Sequence, residues 1–299
     1  MKKSKIILID GTFYLYKFYY TFPTFENKKK EPTGAIFGLI NMISKMFVLY
    51  NPKNLIVIFD SPIKNFRKIL FSKYKSNRKK MPLLLQKQII HIIKIIKYLG
   101  IPVVIVSKFE ADDVIGTLSK MYEKKNYSVF ISTKDKDMAQ LVSKKIKIID
   151  GTKKKILGII EIKKKYGVFP KQICDFLGLI GDNSDNIPGV KGIGKKTAIL
   201  LLEKFDSLKE IYNDINKISN IPVKRSSNVQ KIVKNNKKEA FLSKKLATIN
   251  TNVPIKIKKK ALKLKNLNEK KIEILLKKFE FKNWKNIINI FSKKKIPLK

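Results

Sequence analysis

The sequence is poor in the residues that build disulfides, zinc sites and histidine-dependent active sites. Its 299 residues include one cysteine, Cys174, and one histidine, His91. A single cysteine excludes an intrachain disulfide and is typical of a reducing compartment. Without a Cys/His cluster a zinc site is not expected. His91 lies within the apolar stretch Ile89–Ile93, which is more typical of a packed helix than of a catalytic base.

Long apolar segments are also missing. No apolar run approaches the length of about 18 residues that crosses a bilayer. The N-terminal run Ile6–Ile9 ends at Asp10, which is too early for a signal peptide. We therefore expect a cytoplasmic protein without membrane association.

Acidic residues are scarce relative to basic ones. The chain has 66 Lys and Arg against 23 Asp and Glu, a formal charge of +43, which favours a polyanionic partner. Only three of the basic residues are arginine. Because lysine, isoleucine and asparagine have A/T-rich codons, we hypothesise that an A/T-biased genome has raised the lysine count. The charge alone therefore does not decide the function.

Apolar runs alternate with helical patterns along the first half of the chain. Five runs predict buried strands: Ile6–Ile9, Leu55–Phe59, Val103–Val106, Val129–Ile131 and Ile146–Ile149. Helical patterns lie between them, over residues 35–49, 82–99 and 112–124. This alternation predicts an α/β fold with a mainly parallel central sheet flanked by helices.

Acidic residues follow the predicted strands where ligands bind such sheets, beyond the strands' carboxyl ends. They are Asp10, Asp60, Glu110, Asp112, Asp113, Asp135 and Asp137. Any one of them is explained equally well as a helix cap. Together on one rim they would repel one another unless cations neutralised them. All-oxygen ligand sets suit Mg²⁺ or Mn²⁺.

A basic segment with interleaved aromatic residues, SPIKNFRKILFSKYKSNRKKM, separates Asp60 from Pro82. If it is helical, Lys75 and Arg78 share a face beside Tyr74. Such cations can hold a phosphate opposite a carboxylate site, and an aromatic ring can stack on a base. The alternative is an ordinary basic surface helix.

The stretch Gly181–Ala198, GDNSDNIPGVKGIGKKTA, joins two aspartates to a glycine-rich turn and a basic helix start. Asp182 and Asp185 share a face if their stretch is a helical turn. The glycines permit a backbone that a Cβ would resist, and a helix N-terminus followed by lysines favours phosphate. An ordinary helix-turn-helix with a glycine loop is the alternative.

With these motifs the chain resembles the 5′ nuclease domain of bacterial DNA polymerase I and the wider flap endonuclease family. The resemblance is carried by LIDGTFYLYKFYYTFP (8–23), EPTGAIFGLINM (31–42), VIFD (57–60), FRKILFSKYKSNRKKMP (66–82), EADDVIGTL (110–118), ISTKDKDMAQLV (131–142), GDNSDNIPGVKGIGKKTA (181–198), LATI (246–249) and FEFKNW (279–284). It implies a nuclease core over residues 1–180 with a helical arch at about 62–82. A helical region with a DNA-binding helix-three-turn-helix follows over residues 181–299.

The resemblance also implies the site residues. The metal-binding set corresponds to Asp10, Asp60, Glu110, Asp112, Asp113, Asp135, Asp137, Asp182 and Asp185. Tyr74, Lys75 and Arg78 match arch residues that engage the scissile region. The turn that grips duplex DNA matches Gly189, Val190, Lys191, Gly192, Ile193, Gly194, Lys195, Lys196 and Thr197. Lys17 replaces a usual arginine, which keeps the charge but loses bidentate geometry.

The implied activity is metal-dependent hydrolysis of DNA phosphodiesters at 5′ ends and flaps, giving 5′-phosphorylated products in primer removal and repair. We expect two Mg²⁺ ions, typically roughly 4 Å apart in such sites, replaceable by Mn²⁺, with K⁺ at the glycine turn. The first ion would rest on residues 10, 60, 110, 112 and 113 and the second on residues 135, 137, 182 and 185. A monomer working with a separate polymerase and ligase is expected. An inactive junction-binding module and an RNA-processing nuclease are the alternatives.

Overall fold

A six-stranded sheet forms the centre of the fold. The structure is a computed structural model that describes residues 4–150, 155–222, 226–256 and 262–292. The strands are β1 (Lys5–Asp10), β2 (Leu55–Ile58), β3 (Val103–Val104), β4 (Ser128–Ser132), β5 (Ile146–Ile149) and β6 (Ile156–Leu157). Their order is β3-β2-β1-β4-β5-β6, and only the β5–β6 pair is antiparallel. The predicted mainly parallel α/β sheet is confirmed, although β3 is shorter than expected and β6 was not predicted.

Helices connect the strands and cover the sheet. Those of the first 180 residues are α1 (Gly11–Thr21), α2 (Gly34–Tyr50), α3 (Phe66–Leu70), α4 (Leu83–Tyr98), α5 (Ala111–Lys124), α6 (Ile159–Tyr166) and α7 (Ile173–Ile180). The later helices are α8 (Lys195–Phe205), α9 (Leu208–Asn213), α10 (Ser226–Asn235), α11 (Lys237–Ala247), α12 (Glu269–Lys278) and α13 (Trp284–Ser292). Short 3₁₀ helices span Asp137–Leu141, Pro170–Gln172 and Ile215–Asn220. No helix among the described residues is long and apolar enough to cross a membrane.

The two faces of the sheet bury two separate cores. In β1, Ile6 and Leu8 point into one core, while Ile7 and Ile9 point into the other, as the period of two along a strand requires. The first core continues through α5 into helices α7 to α11. The second contains α1, α2 and α4.

The last two helices return to the N-terminal half of the chain. Residues of α12 and α13 share the second core with α2 and α4, and Phe47 packs on Phe291 with ring centroids 4.3 Å apart. The boundary predicted at residue 180 stays a prediction. The packing nevertheless joins α12 and α13 to the sheet rather than to α8–α11.

Candidate active site

A cleft of about 720 Å³ opens at the carboxyl end of β1. The strand order reverses at β1, since β2 lies on one side of it and β4 on the other. Asp10, Asp60, Asp112 and Asp135 line it. Asp10 is the last residue of β1 and also caps α1, since its carboxylate accepts a hydrogen bond from Phe13 N at 2.9 Å. The sheet topology therefore gathers acids that lie far apart in the sequence.

Neighbouring polar groups fix the orientation of these carboxylates. Thr133 Oγ1 donates to Asp10 Oδ2 at 2.9 Å. The backbone N–H of Ala111, at the start of α5, donates to Asp60 Oδ1 at 2.6 Å. Asp135 Oδ1 accepts from Asp137 N at 2.9 Å. Oriented carboxylates of this kind form a preorganised site.

A second acidic group lies beside the first. Asp137, Asp182 and Asp185 are all buried, and one carboxylate oxygen from each lies within 4.8 Å of the others. Asp137 Oδ1 has no hydrogen-bond partner among the described residues. A buried carboxylate oxygen without a donor is costly, so this oxygen-only group fits a hard divalent cation.

Burial, together with the neighbouring negative charges, raises the pKa values of three of these aspartates. Burial raises the pKa of Asp10 to about 7, and the charges of Asp60 and Asp135 add to the effect. Burial and the charges of Asp135, Asp185 and Asp182 raise the pKa of Asp137 to about 8. Burial raises the pKa of Asp112 as well, together with Asp135 and Asp10. A cation would remove this repulsion.

Asp135 differs from the predicted division between the two groups. The predicted second ion site groups it with residues 137, 182 and 185, yet it lines the cleft with Asp10, Asp60 and Asp112. Its charge acts on Asp10 and Asp112 as well as on Asp137. Asp135 therefore lies between the groups.

Basic side chains approach both acidic groups. Lys75 Nζ lies 2.5 Å from Glu110 Oε1 and 3.5 Å from Asp185 Oδ2. Arg78 also pairs with Asp185. Lys136 Nζ donates to Asp182 Oδ1 at 2.7 Å, and this contact helps to lower the pKa of Asp182 against the opposing effect of burial.

The condition for a shared helical face is not met in either of the two segments. Residues 72–78 form turns after α3 rather than a helix, and Lys75 has a left-handed φ of 52°. Residues 182–187 form a turn closed by a bridge between Asp182 and Ile187, so Asp182 and Asp185 do not share a helical face. Tertiary contacts, rather than a helical period, bring these side chains together.

Tyr74 is buried, with only 3% of its surface exposed. Its hydroxyl lies 3.1 Å from Glu110 Oε2 and 3.2 Å from Asp185 Oδ2. Burial raises the pKa of this hydroxyl, which keeps it protonated as a donor. The proposed stacking of Tyr74 on a base does not fit this conformation.

Asp113 points away from the cleft. Its two carboxylate oxygens accept from Arg67 at 2.8 and 2.7 Å, and Asn250 N donates to it at 2.8 Å. Arg67 Nη1 also donates to Glu110 at 2.9 Å. The predicted role of Asp113 as a metal ligand is not supported by this geometry.

Glu110 is shared between the site and its support. Besides Arg67, it accepts from Tyr74 and Lys75. Burial would raise the pKa of Glu110, but Lys75 and Arg67 outweigh it and lower that pKa. Glu110 is thus ionised and already paired, unlike the aspartates whose pKa values are raised.

The glycine-rich turn follows Asp182 and Asp185 in the sequence and leads into α8. Gly189 and Gly192 have φ values of 64° and 94°. A Cβ on Gly189 would lie 2.3 Å from Gly181 N, so the turn requires glycine there. Val190 and Ile193 are buried in the first core, which leaves only their backbone for a DNA contact. The predicted contacts of the turn also include Lys191, Gly194, Lys195, Lys196 and Thr197, all of which are exposed except the half-buried Thr197.

Lys17 lies in the same cleft as the acids. Its ammonium nitrogen is 5.4 Å from the ring centroid of Tyr14 and 5.3 Å from that of Phe18. The aromatic rings therefore support a positive charge beside the carboxylates.

The sequence reasoning missed several residues that hold the site. Thr133, Arg67 and Lys136 bind the predicted carboxylates directly. Arg67 carried one usable signal, since it is one of only three arginines in a chain rich in lysine. Thr133 and Lys136 adjoin the predicted acids but match no general pattern.

Two solved structures illustrate which known proteins share this fold. Zinc-bound T5 5′-exonuclease aligns with a TM-score of 0.68 at 20% identity, covering 96% of this chain and 99% of that chain. The catalytic core of Rad2 in complex with DNA substrate aligns with a TM-score of 0.63 at 16% identity, covering 96% and 91%. At these identities the likeness establishes the fold.

Sequence relatives establish the family. Two family models, which together span most of the chain, define the class as a 5′ nuclease. Residues 5–167 match the 5′-3′ exonuclease N-terminal resolvase-like domain, and residues 168–270 match the 5′-3′ exonuclease C-terminal SAM fold. The chain belongs to the 5′-3′ exonuclease family.

Two relatives show that the family includes both chains of similar length and segments of longer polymerases. A 5′-3′ exonuclease of Buchnera aphidicola subsp. Baizongia pistaciae is 47% identical over 287 residues, covering 96% of this chain and 95% of the relative. DNA polymerase I of Pseudomonas aeruginosa is 37% identical over 285 residues, covering 95% of this chain but 31% of the polymerase.

Proposed function

We propose that this chain hydrolyses DNA at 5′ ends and 5′ flaps beside duplex DNA, and leaves 5′-phosphorylated products. The observation that carries the proposal is the juxtaposition of two acidic groups with Lys75 and Arg78 beside one cleft. The basic turn before α8 supplies a duplex contact close in sequence to Asp182 and Asp185. The fold's relatives include a T5 flap endonuclease solved in complex with DNA and metal ions.

The chain's residues divide the work between holding ions and holding phosphate. We propose that Asp10, Asp60, Asp112 and Asp135 hold one divalent ion and that Asp137, Asp182 and Asp185 hold a second. Divalent cations in such sites stabilise the charge of a phosphodiester in its transition state and lower the pKa of water. Lys75 and Arg78 then bind the scissile phosphate and offset its growing negative charge. Glu110 and Tyr74 orient the side chains of these two basic residues.

The oxygen-only ligands support Mg²⁺ as the ion, with Mn²⁺ as a substitute. The proposed K⁺ at the turn 189–194 rests on the family resemblance alone. A functional link to a polymerase is supported by the match within DNA polymerase I, whereas the proposed link to a ligase rests on the family resemblance alone. Because the proposed substrate is DNA and the relatives are bacterial, we propose a cytoplasmic location. A monomer as the working form stays a prediction.

A labelled 5′-flap DNA, incubated with the protein and either Mg²⁺ or a chelator, tests the function. We expect Mg²⁺-dependent cleavage near the junction. Asp112→Asn should lower the rate by about 100-fold or more, since it removes a cleft carboxylate, while flap binding in Ca²⁺ survives.

The same assay separates the alternatives. Binding without cleavage in Mg²⁺ would indicate an inactive junction-binding module. Preference for single-stranded RNA over flap DNA would indicate an RNA-processing nuclease. Unchanged turnover of Asp112→Asn would show that the carboxylate assignment is wrong.

A further inference from the structure

Two turns on either side of the active site are joined by hydrogen bonds that do not involve the acidic side chains. The catalytic turn, residues 73–78, carries Tyr74, Lys75 and Arg78. The acidic turn, residues 182–186, carries Asp182 and Asp185. Between them, Asn77 Nδ2 donates to Asn183 O at 2.7 Å.

Asn186 supplies the most direct of these links. Its side-chain amide donates to Lys73 O at 2.7 Å and to Ser76 Oγ at 3.0 Å. These two acceptors bracket Lys75 in the sequence. One amide group therefore holds the catalytic turn on both sides of the lysine.

Lys75 needs such support because its backbone is in a sparsely populated region. Its φ is 52°, a left-handed value that costs a residue with a Cβ on the order of 1 kcal/mol. Its N–H donates to Asp185 O at 2.8 Å. From this backbone position the side chain reaches Glu110 and Asp185.

We propose that Asn186 is a positioning residue for phosphodiester hydrolysis, which locks Lys75 over the acidic groups by holding the catalytic turn against the acidic turn. The inference rests on the proposed nuclease function and deepens it. Asn186 touches neither acid nor phosphate and acts through Lys75. It also couples the two turns, so a shift in the acidic turn moves the lysine with it.

Asn186→Gly tests the side chain without disturbing the backbone. Asn186 has a φ of 54°, and glycine adopts this conformation at no steric cost. Asn126→Gly is the matched control, because Asn126 has a φ of 63° but lies exposed after α5, away from the cleft. Both variants make the same chemical change at a left-handed position.

We expect Asn186→Gly to lower kcat on 5′-flap DNA by about 10- to 100-fold, as misplacement of a catalytic group does. KM and the melting temperature should stay close to those of Asn126→Gly. In a Lys75→Ala background, Asn186→Gly should cost no more than a few-fold, because the residue it positions is gone. An equal loss in both backgrounds, or a kcat within twofold of the control, would overturn the proposal.

Amide hydrogen exchange tests the same link without catalysis. In Asn186→Gly, the exchange of residues 74–78 should accelerate at least about tenfold over the control, since the turn is no longer held by the Asn186 amide against Asp185 O, the acceptor of Lys75 N–H. Unchanged protection there would refute the positioning role. A wild-type protein that fails to cleave flap DNA would instead refute the nuclease proposal, and the exchange result would still decide the role of Asn186.

Discussion

Arg67 offers a test of how the active site is supported from behind. Its side chain is buried, and each of its five N–H groups has an acceptor. Nε donates to Leu246 O, Nη1 to Glu110 and Asp113, and Nη2 to Asp113 and Thr248 O, all at 2.7–2.9 Å. The guanidinium thus joins α5 to the end of α11.

Arg67→Met keeps an unbranched apolar stem but removes the charge and all five donors. Asp113, which is 0% exposed, would then be a buried carboxylate without its cation. Breaking a buried pair in this way costs about 3–5 kcal/mol, a large part of the 5–15 kcal/mol typical of a folded domain. We expect a loss of that size in the free energy of unfolding, measured by urea denaturation in chelator.

Three further variants isolate the cause of the loss in stability expected for Arg67→Met. Arg67→Lys keeps the charge but loses the fork geometry, so it should recover only part of the loss. Arg67→Met with Asp113→Leu leaves no unpaired charge from that pair and should be more stable than Arg67→Met alone. Arg78→Met, at a side chain 50% exposed, should cost about 1 kcal/mol or less. The reasoning fails if Arg67→Met costs no more than Arg78→Met, or if the double variant is as unstable as the single one.

Two other predictions concern charge repulsion and the glycine turn. In chelator, Asp137→Asn should become steadily more stable than the wild type as pH rises from about 4 to about 8. The unfolded aspartate ionises near 3.8 while the folded one keeps its proton to about 8, so wild-type stability falls by up to about 1.4 kcal/mol per pH unit over this window. A stability difference that does not change with pH, in parallel urea titrations, would contradict the raised pKa. In the turn, Gly189→Ala should destabilise the fold by at least about 1 kcal/mol, because φ is positive and the new Cβ meets Gly181 N. Gly194→Ala should be tolerated in the free protein, since nothing lies within 4 Å of its Cβ position. Equal melting temperatures for the two variants would refute this distinction.

The sequence predicted the sheet because its signals are local. Short apolar runs such as Leu55–Phe59 and Ile146–Ile149 are long enough for strands and too short for core helices. Acids placed directly after those runs had to meet at one edge, since parallel strands end together. The acidic edge of the fold therefore followed from the order of residue types along the chain.

The local signals failed where long-range contacts shape the backbone. Spacing alone predicted helical faces for Lys75 with Arg78 and for Asp182 with Asp185. The structure instead places both pairs on turns that hydrogen-bond to each other across more than a hundred residues. No short-range pattern reports such a contact.

Asp112 and Asp113 show most clearly which features follow from the sequence and which from the tertiary structure. The sequence made them equivalent, as neighbouring acids at the start of one helix. Successive residues on a helix point about 100° apart, so only one of them can face the cleft. Tertiary packing decided which, by burying Arg67 where it binds Asp113 and leaving Asp112 to line the site. The sequence alone determined that acids gather at this edge, and only the fold decided which carboxylates stay available, because that depends on the cation that each one meets.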